Sequence, residues 1–220
     1  MVHPDTIGFL KKLKKNNNRE WFEKNRLVYE AAKNDVEKNA DKILAGIKLN
    51  DKRINPDLSG KKCMFRIYRD VRFAKDKSPY KTNMGASFSY GDKKVNLPGY
   101  YMHIEAGGAF LAGGMWQPAA PELAKIRQEI DYNLDEFNKI ISDKSFRKYF
   151  GTLDQSDILS TAPKGYAKDH PAIHLLKLKS FIVMAPLSDK EVMSSQFNKN
   201  AVAIYKAMMP LNHFLQRALD

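Results

Sequence analysis

The distribution of apolar residues is the feature that most constrains the fold. Alternating, aromatic-rich segments fill the middle of the chain, and apolar residues at helical spacing dominate both ends. Alternation is typical of strands that bury one face, whereas spacings of three and four form the buried stripe of a helix. Strands grouped between helices favour an α+β fold. The predicted strands are Cys63–Phe73, Ala86–Tyr90, Gly99–Glu105, Ala109–Met115 and Phe181–Ala185.

Helical periodicity predicts a first helix over Asp5–Lys15 and a much longer one from Asn17 to about Asn50. Asn17 followed by Glu20 resembles a capping box at the start of the long helix. One α+β domain over residues 1–220 follows, with an antiparallel or mixed sheet and a helical C-terminus. The other helical signals are Pro121–Ile141, a short helix from Pro171, a capping box of Ser188 and Glu191, and C-terminal helical structure that Pro210 kinks or divides.

The net charge of +12 is concentrated in the first part of the chain. Residues 1–81 carry 21 Lys and Arg against 11 Asp and Glu, whereas residues 82–220 carry 16 against 14. A concentrated positive field favours polyanions or phosphorylated ligands as partners. A lysine-rich, solvated helix face is the alternative explanation for the lysines.

Cysteine content and hydropathy exclude several classes of protein. Cys63 is the only cysteine, so an internal disulfide and a cysteine-rich zinc site are excluded. The longest strongly apolar run, Phe181–Leu187, is too short to cross a membrane, and the first 15 residues lack the apolar stretch of a signal peptide. The sequence therefore predicts a soluble cytoplasmic protein without a membrane partner or a cofactor, and it does not indicate an oligomeric state.

Residues 66–81, which we call the signature segment, carry the most informative chemistry. Arg66, Arg69 and Arg72 recur at a spacing of three among aromatic residues. Arginine presents a planar fork of donors that suits carboxylates and phosphates. If the segment is a strand, Arg69 shares its apolar face and is predicted to form a buried structural ion pair. Arg66 and Arg72 then flank Asp70 on the other face, and their excess positive charge could bind a phosphate or carboxylate.

The rest of the signature segment is predicted to be a loop, because a Ser-Pro step disfavours helix. Lys77, Tyr80 and Lys81 could then fold back over the same ligand. The alternative is that Asp70 and Asp76 neutralise the nearby cations in a network that only stabilises the fold. Both possibilities stay open at this point.

The signature segment also resembles a known family. Its pattern, Arg-x-x-Arg-Asp-x-Arg-Phe-x-x-Asp-Lys-x-x-Tyr over residues 66–80, is similar to the signature of the bacterial domain of unknown function 2461 family. The resemblance covers nearly the whole chain and implies a single α+β domain, but no particular activity. The accompanying blocks are Asn17-x-Arg19-x-Trp21-Phe22, Gly114-Met115-Trp116-x-Pro118 with Arg127, Pro163-Lys164-Gly165-Tyr166 and His170-Pro171.

Two histidine arrangements suggest further chemistry. His103 and Glu105 share one face of a predicted strand and could form an oriented base, although a hydrogen-bonded histidine on a sheet surface is the alternative. His170 and His174 have the spacing of helical metal ligands. Pro171 places His170 at the helix cap, however, so no metal site is predicted.

The loop of residues 163–170 is a second basic region. Lys164 and Lys168 precede a predicted helix N-terminus, whose free N–H groups favour anions. An ordinary solvated loop is the alternative. If this loop approached the signature segment, the two would form one positive pocket.

Three functions are compatible with these residues. The first is a binding domain for a phosphorylated ligand, with nucleic acid as the leading case. The second is an enzyme acting on a phosphate- or carboxylate-bearing small molecule, and the third is a purely architectural network. The predicted ligand-binding residues are Arg66, Arg72, Lys77, Tyr80, Lys81, Lys164 and Lys168, and the candidate proton-transfer residues are Asp70, Asp76, Tyr80 and His103.

Overall fold

The computed structural model describes residues 1–91 and 96–220 and contains a four-stranded antiparallel sheet. The strands are adjacent in the order in which they occur along the chain. The fold class is therefore α+β, as the sequence predicted. The strands are β1 (Asn83–Ser89), β2 (Gly99–Glu105), β3 (Ala109–Met115) and β4 (Phe181–Leu187).

Helices precede, separate and follow the strands. In the described part of the chain, no helix has both the length and the apolar character that crossing a membrane requires. The helices are α1 (Pro4–Lys15), α2 (Arg19–Lys24), α3 (Arg26–Asn50), α4 (Gly60–Cys63), α5 (Ala120–Tyr132), α6 (Leu134–Ser142), α7 (Lys144–Phe150), α8 (Ile173–Leu176), α9 (Asp189–Val192) and α10 (Phe197–Arg217).

The two long predicted helices are each interrupted by an asparagine. Asn25 ends α2 and precedes α3, and its side-chain amide donates a hydrogen bond to the Trp21 carbonyl at 2.8 Å. Asn133 separates α5 from α6, and its side-chain amide donates to the Glu129 carboxylate at 3.0 Å. Asparagine side chains compete locally for hydrogen bonds and so favour a break in a helix. Apolar periodicity does not report this competition, so it predicted one continuous helix in each case.

The N-terminal capping box was assigned to the wrong residue. Asn18, and not Asn17, caps α2, because the Asn18 side chain accepts a hydrogen bond from the Trp21 N–H at 2.9 Å. The capping box of Ser188 and Glu191 is confirmed at the start of α9. Pro210 lies inside α10, which continues through it and is not divided.

The predicted strand over Cys63–Phe73 is wrong. Cys63 ends the one-turn helix α4, and the residues after it make only isolated bridges to neighbouring segments. Phe65 and Phe73, predicted to face the core, are 45% and 96% exposed, whereas Ile67 is buried. Burial therefore alternates around Ile67, but the segment does not form a strand of the sheet.

Strand β2 separates a buried face from a polar one. Tyr100, Met102 and Ile104 are at most 2% exposed. The alternate residues Tyr101, His103 and Glu105 lie on the opposite, partly exposed face. This alternation places the only histidine of the strand between two polar neighbours.

The described residues form two compact units. The first comprises Met1–Phe88, Tyr101–Leu111 and Pro186–Ala203. Its core contains an aromatic cluster in which the Phe22 ring stacks on Tyr80 with 3.9 Å between centroids. The second comprises Ser89–Tyr100, Ala112–Ala185 and Ile204–Asp220.

Candidate functional site

The signature segment folds back on itself like an irregular hairpin. Tyr68 and Tyr80 form an antiparallel bridge. The Arg69 N–H donates to the Pro79 carbonyl at 2.9 Å, and the Lys81 N–H donates to the Ile67 carbonyl at 2.7 Å. These bonds bring the two ends of the segment side by side and leave its middle as a projecting loop.

Asn17 fixes the end of this hairpin. Its side-chain amide donates to the Tyr80 carbonyl at 2.9 Å, and its side-chain oxygen accepts from the Tyr80 N–H at 3.1 Å. The Tyr80 ring is buried against Phe22, which lies on α2. The Asn17–Phe22 block and the signature segment therefore form one packed structure, although about 60 residues separate them in sequence.

An open cleft of about 330 Å³ lies beside this structure. Its size is at the lower end of the range typical of small-molecule sites, roughly 300–1,000 Å³. Three cationic side chains, one carboxylate and several neutral polar groups line it. The lining residues are Lys14, Asn17, Arg69, Asp76, Ser78, Tyr80, Lys81, Thr82 and Asn83.

Arg69 forms an ion pair inside this cleft. Its guanidinium donates to the Asp76 carboxylate, which also accepts hydrogen bonds from the Ser78 hydroxyl at 2.6 Å and the Ser78 N–H at 2.9 Å. Hydrogen bonds from Ser78 and Arg69 hold the pKa of Asp76 well below its usual value. The pair is partly exposed rather than buried, since 28% of the Arg69 side chain and 62% of the Asp76 side chain are accessible.

Lys14 forms a second ion pair at the edge of the cleft. Its ammonium lies 3.1 Å from Glu105, which also accepts a hydrogen bond from the Thr82 hydroxyl at 3.1 Å. Burial alone would raise the pKa of Glu105, but hydrogen bonds from Lys14, His103 and Thr82 lower it overall. Glu105 is therefore ionised at neutral pH and connects the cleft to strand β2.

Lys81 differs from the other two cations of the cleft. Among the described residues, no carboxylate forms an ion pair with its ammonium, which lies over the Phe65 ring at 5.4 Å from the centroid. Burial lowers the pKa of Lys81, and the nearby Arg66 guanidinium lowers it further. Within residues 1–91 and 96–220, Lys81 is thus a partly buried cation that contacts an aromatic ring and no carboxylate.

A chain of hydrogen bonds runs along the polar face of β2. The Tyr101 hydroxyl is 3.1 Å from His103 Nδ1, and His103 Nε2 is 3.3 Å from Glu105 Oε2. Phe110 on β3 stacks on the imidazole at 4.4 Å between centroids. Burial lowers the pKa of His103, and the Glu105 carboxylate offsets part of this effect. His103 thus has the orienting carboxylate partner that the sequence suggested.

The other predicted residues of the signature segment do not line the cleft. Arg72 and Asp70 form a bidentate ion pair with N–O distances of 3.0 and 2.7 Å, which neutralises much of the expected positive face. The hydrogen bonds from Arg72 lower the pKa of Asp70. Lys77 donates to the carbonyl of Val71 at 3.0 Å, and Arg66 is exposed.

The basic loop of residues 163–170 belongs to the second unit. Lys164 and Lys168 are exposed, and the helix that follows, α8, has only four residues. His170 is held by Asp131, with 2.8 Å between Nε2 and Oδ1. Among the described residues, no group of three or more potential ligands could hold a metal ion.

Sequence reasoning missed Lys14, Asn17 and Thr82 as neighbours of the signature segment. Lys14 was interpreted as part of a solvated helix face, and Asn17 as a helix cap. The available signal was the Asn17-x-Arg19-x-Trp21-Phe22 block, which accompanies the signature segment in the family pattern. Two sequence blocks that occur together in one family pattern can be placed in contact only when the fold is known.

Comparisons with known proteins agree with the resemblance seen in the sequence. No curated protein and no solved structure matched the chain. A family model described as conserved hypothetical protein (DUF2461) matches residues 5–214, which is nearly the whole chain. The chain therefore belongs to the DUF2461 family of conserved hypothetical proteins.

Proposed function

We propose that the first unit binds a small molecule carrying a phosphate or carboxylate group in the cleft next to Lys81. The observation that carries this proposal is that Lys81 lines the cleft and, among the described residues, has no carboxylate partner. A partly buried ammonium with a lowered pKa and a like charge nearby is unfavourable in the free protein. An anion in the cleft would supply the missing negative charge.

The surrounding groups suit such an anion. Arg69 can turn part of its donor fork towards a ligand, because a guanidinium has five N–H donors and Asp76 engages only some of them. The side-chain amides of Asn17 and Asn83 add neutral N–H groups to the lining, whereas the Ser78 and Thr82 hydroxyls already donate to Asp76 and Glu105. Charged and neutral donors around one cavity are the usual means of fixing the orientation of a phosphate or carboxylate.

The geometry favours a small ligand over the nucleic acid that the sequence suggested first. Nucleic-acid binding requires a row of uncompensated cations that neutralises successive phosphates. Arg72 is paired with Asp70, and Arg69 with Asp76, so the signature segment offers fewer free cations than its sequence implies. Within the cleft, Lys14 and Arg69 are paired with carboxylates, and among the described residues Lys81 has no such partner.

A thermal-shift titration with inorganic phosphate and a panel of phosphorylated and carboxylate metabolites tests the proposal. A ligand at about 100 times its dissociation constant adds roughly 2.7 kcal/mol to the stability of the folded state. For a chain of this size that corresponds to a rise in Tm of about 5–10 °C. We expect Lys81→Gln to abolish the rise.

The matched control is Lys11→Gln, which removes the same charge from an exposed position on α1. It should retain the full rise, and sodium chloride at equal ionic strength should give none. Because the Lys81 charge is unfavourable without a ligand, Lys81→Gln should be no less stable than the wild type in ligand-free buffer. An equal loss of response in both variants would contradict a specific role for Lys81, as would salt-sensitive binding of oligonucleotides that Lys81→Gln leaves intact.

An enzyme acting on such an anion is the second candidate function. It is favoured by the hydrogen-bonded chain of Tyr101, His103 and Glu105, which contacts the cleft residues Lys14 and Thr82 through Glu105. An oriented histidine that is connected to the cleft through Glu105 is typical of acid–base sites. The two candidates share the cleft and differ in whether the bound molecule is changed.

A further inference from the structure

We infer that Tyr101, His103 and Glu105 form a proton relay in which Tyr101 is the catalytic acid–base group and the other two residues act through it. This inference rests on the proposed function, because the molecule that exchanges a proton with Tyr101 is the anion bound at Lys81. The three side chains lie on one face of β2 and are joined by two hydrogen bonds.

The protonation states follow from the partners. Glu105 is ionised and can only accept, so His103 Nε2 carries a proton and donates it to Glu105. In the neutral imidazole, Nδ1 is then an acceptor, and the Tyr101 hydroxyl donates to it. Burial raises the pKa of Tyr101, which keeps the phenol protonated at neutral pH.

The proton transfer balances within these three groups. When a substrate loses a proton to the Tyr101 oxygen, the phenolic proton moves to His103 Nδ1. The resulting imidazolium donates both of its N–H groups, one to Tyr101 and one to the Glu105 carboxylate. The reverse transfer restores the starting state. This is the arrangement of a reactive hydroxyl, an adjacent base and an orienting carboxylate that characterises acid–base sites.

The relay and the anion site meet at two places. Glu105 contacts the cleft residues Lys14 and Thr82 directly. At the other end, the exposed Phe65 ring contacts both the Lys81 ammonium and the Tyr101 ring, with centroid distances of 5.4 and 6.0 Å respectively. A ligand anchored by Lys81 would have to cross the Phe65 ring to reach Tyr101, since neither Phe65 nor Tyr101 lines the cleft itself.

The groups that contact His103 determine its pKa. Tyr101 and Glu105 face it from β2, and the neutral Phe110 ring covers it from β3. Lys14 on α1 acts through its ion pair with Glu105. The carboxylate of Glu105 raises the pKa of His103, so Glu105→Gln should lower it.

The experiment measures the reactivity of Tyr101 in the ligand-free protein with benzenesulfonyl fluoride, followed by peptide mass spectrometry at several pH values. In this reaction the phenol oxygen bonds to sulfur, the S–F bond breaks, fluoride leaves and the phenolic proton passes to His103 Nδ1. Tyr132, which is 73% exposed, is the internal control for a phenol without a base. A general base typically contributes about 10²–10⁴-fold to a rate, so at pH 7 we expect Tyr101 to react at least about tenfold faster than Tyr132.

The pH profile separates a relay from a structural hydrogen bond. A relay predicts that the rate at Tyr101 levels off above the pKa of His103, that His103→Gln removes this plateau, and that Glu105→Gln moves it to lower pH. A rate at Tyr101 no higher than at Tyr132, or one that rises only with phenol ionisation, would overturn the inference. A phenol that so small a probe cannot reach could not serve a substrate either. Because no anion is present, this outcome is independent of the phosphate response of Lys81.

Discussion

The role of Asn17 provides a sharp test of how the signature segment is held. Asn17→Ala removes both hydrogen bonds to the backbone of Tyr80, at 2.9 and 3.1 Å. Asn18→Ala is the matched control, since it changes the same residue type one position later and removes one capping bond to the Trp21 N–H at 2.9 Å. The sequence pattern alone assigned the cap to Asn17, and it would predict a loss of about 1 kcal/mol for Asn17→Ala and no loss for Asn18→Ala.

The expected magnitudes follow from burial. Tyr80 is 3% exposed, so its N–H and carbonyl are poorly placed to bond water once Asn17 is truncated. An unsatisfied buried polar group costs about 1–3 kcal/mol, so the loss of both bonds should destabilise the fold by about 2–4 kcal/mol. Loss of an N-cap costs typically about 1 kcal/mol, and exposed Asn18 is at the lower end of that effect.

Urea denaturation of the wild type and both variants, followed by circular dichroism, measures the difference. We expect Asn17→Ala to lower the free energy of unfolding by at least about 1 kcal/mol more than Asn18→Ala, with similar m-values. Equal losses, or a larger loss for Asn18→Ala, would refute the conclusion that Asn17 links the N-terminal helices to the signature segment.

Three further predictions concern packing, alkaline pH and the charge of the cleft. Gly114→Ala should lower the free energy of unfolding by several kcal/mol, because Gly114 has φ +112° and an added Cβ would clash with the Phe181 carbonyl. Gly151→Ala, with φ +67° and nothing within 4 Å, should lower it by only about 1 kcal/mol, and urea denaturation measures both values. Burial raises the pKa of Tyr29 to about 12, so stability that is present below pH 10 should be lost as pH rises towards 12, and Tyr29→Phe should reduce this loss in a pH series of thermal melts. Asp76→Asn removes a negative charge from the cleft and should tighten phosphate binding severalfold in a calorimetric titration, whereas weaker binding would indicate that the carboxylate is needed to position the site.

The sheet was predictable because its strands carry strong local signals. Gly99–Glu105 and Ala109–Met115 were predicted with the bounds that the structure shows, since alternation and glycine turns mark both ends. The segment after Cys63 has similar alternation, but it makes only an isolated bridge to β1 at residues 85–86 and otherwise pairs with residues 79–81. Composition cannot distinguish a strand from an extended segment that pairs with its own continuation.

The candidate site was only partly predictable for a related reason. Lys81 and His103 were singled out by residue type and spacing, because charge and alternation are local properties. Asn17 is held at the cleft by its bonds to Tyr80 and Lys14 by its ion pair with Glu105, and such contacts depend on tertiary structure. The pairing of Arg72 with Asp70 was one of two open alternatives, and side-chain geometry was needed to choose between them.

The most direct test of the central claim is an NMR titration of the Lys81 side chain, assigned by comparison with Lys81→Gln, in the absence and presence of inorganic phosphate. The account predicts that the pKa of Lys81 in the free protein lies below the ordinary value of a lysine side chain, because burial disfavours its charge. It further predicts that this pKa rises when phosphate binds, because an anion stabilises the charged ammonium. A pKa of Lys81 that phosphate leaves unchanged, at concentrations that saturate the thermal shift, would contradict the claim that Lys81 is the anion-binding cation of this fold.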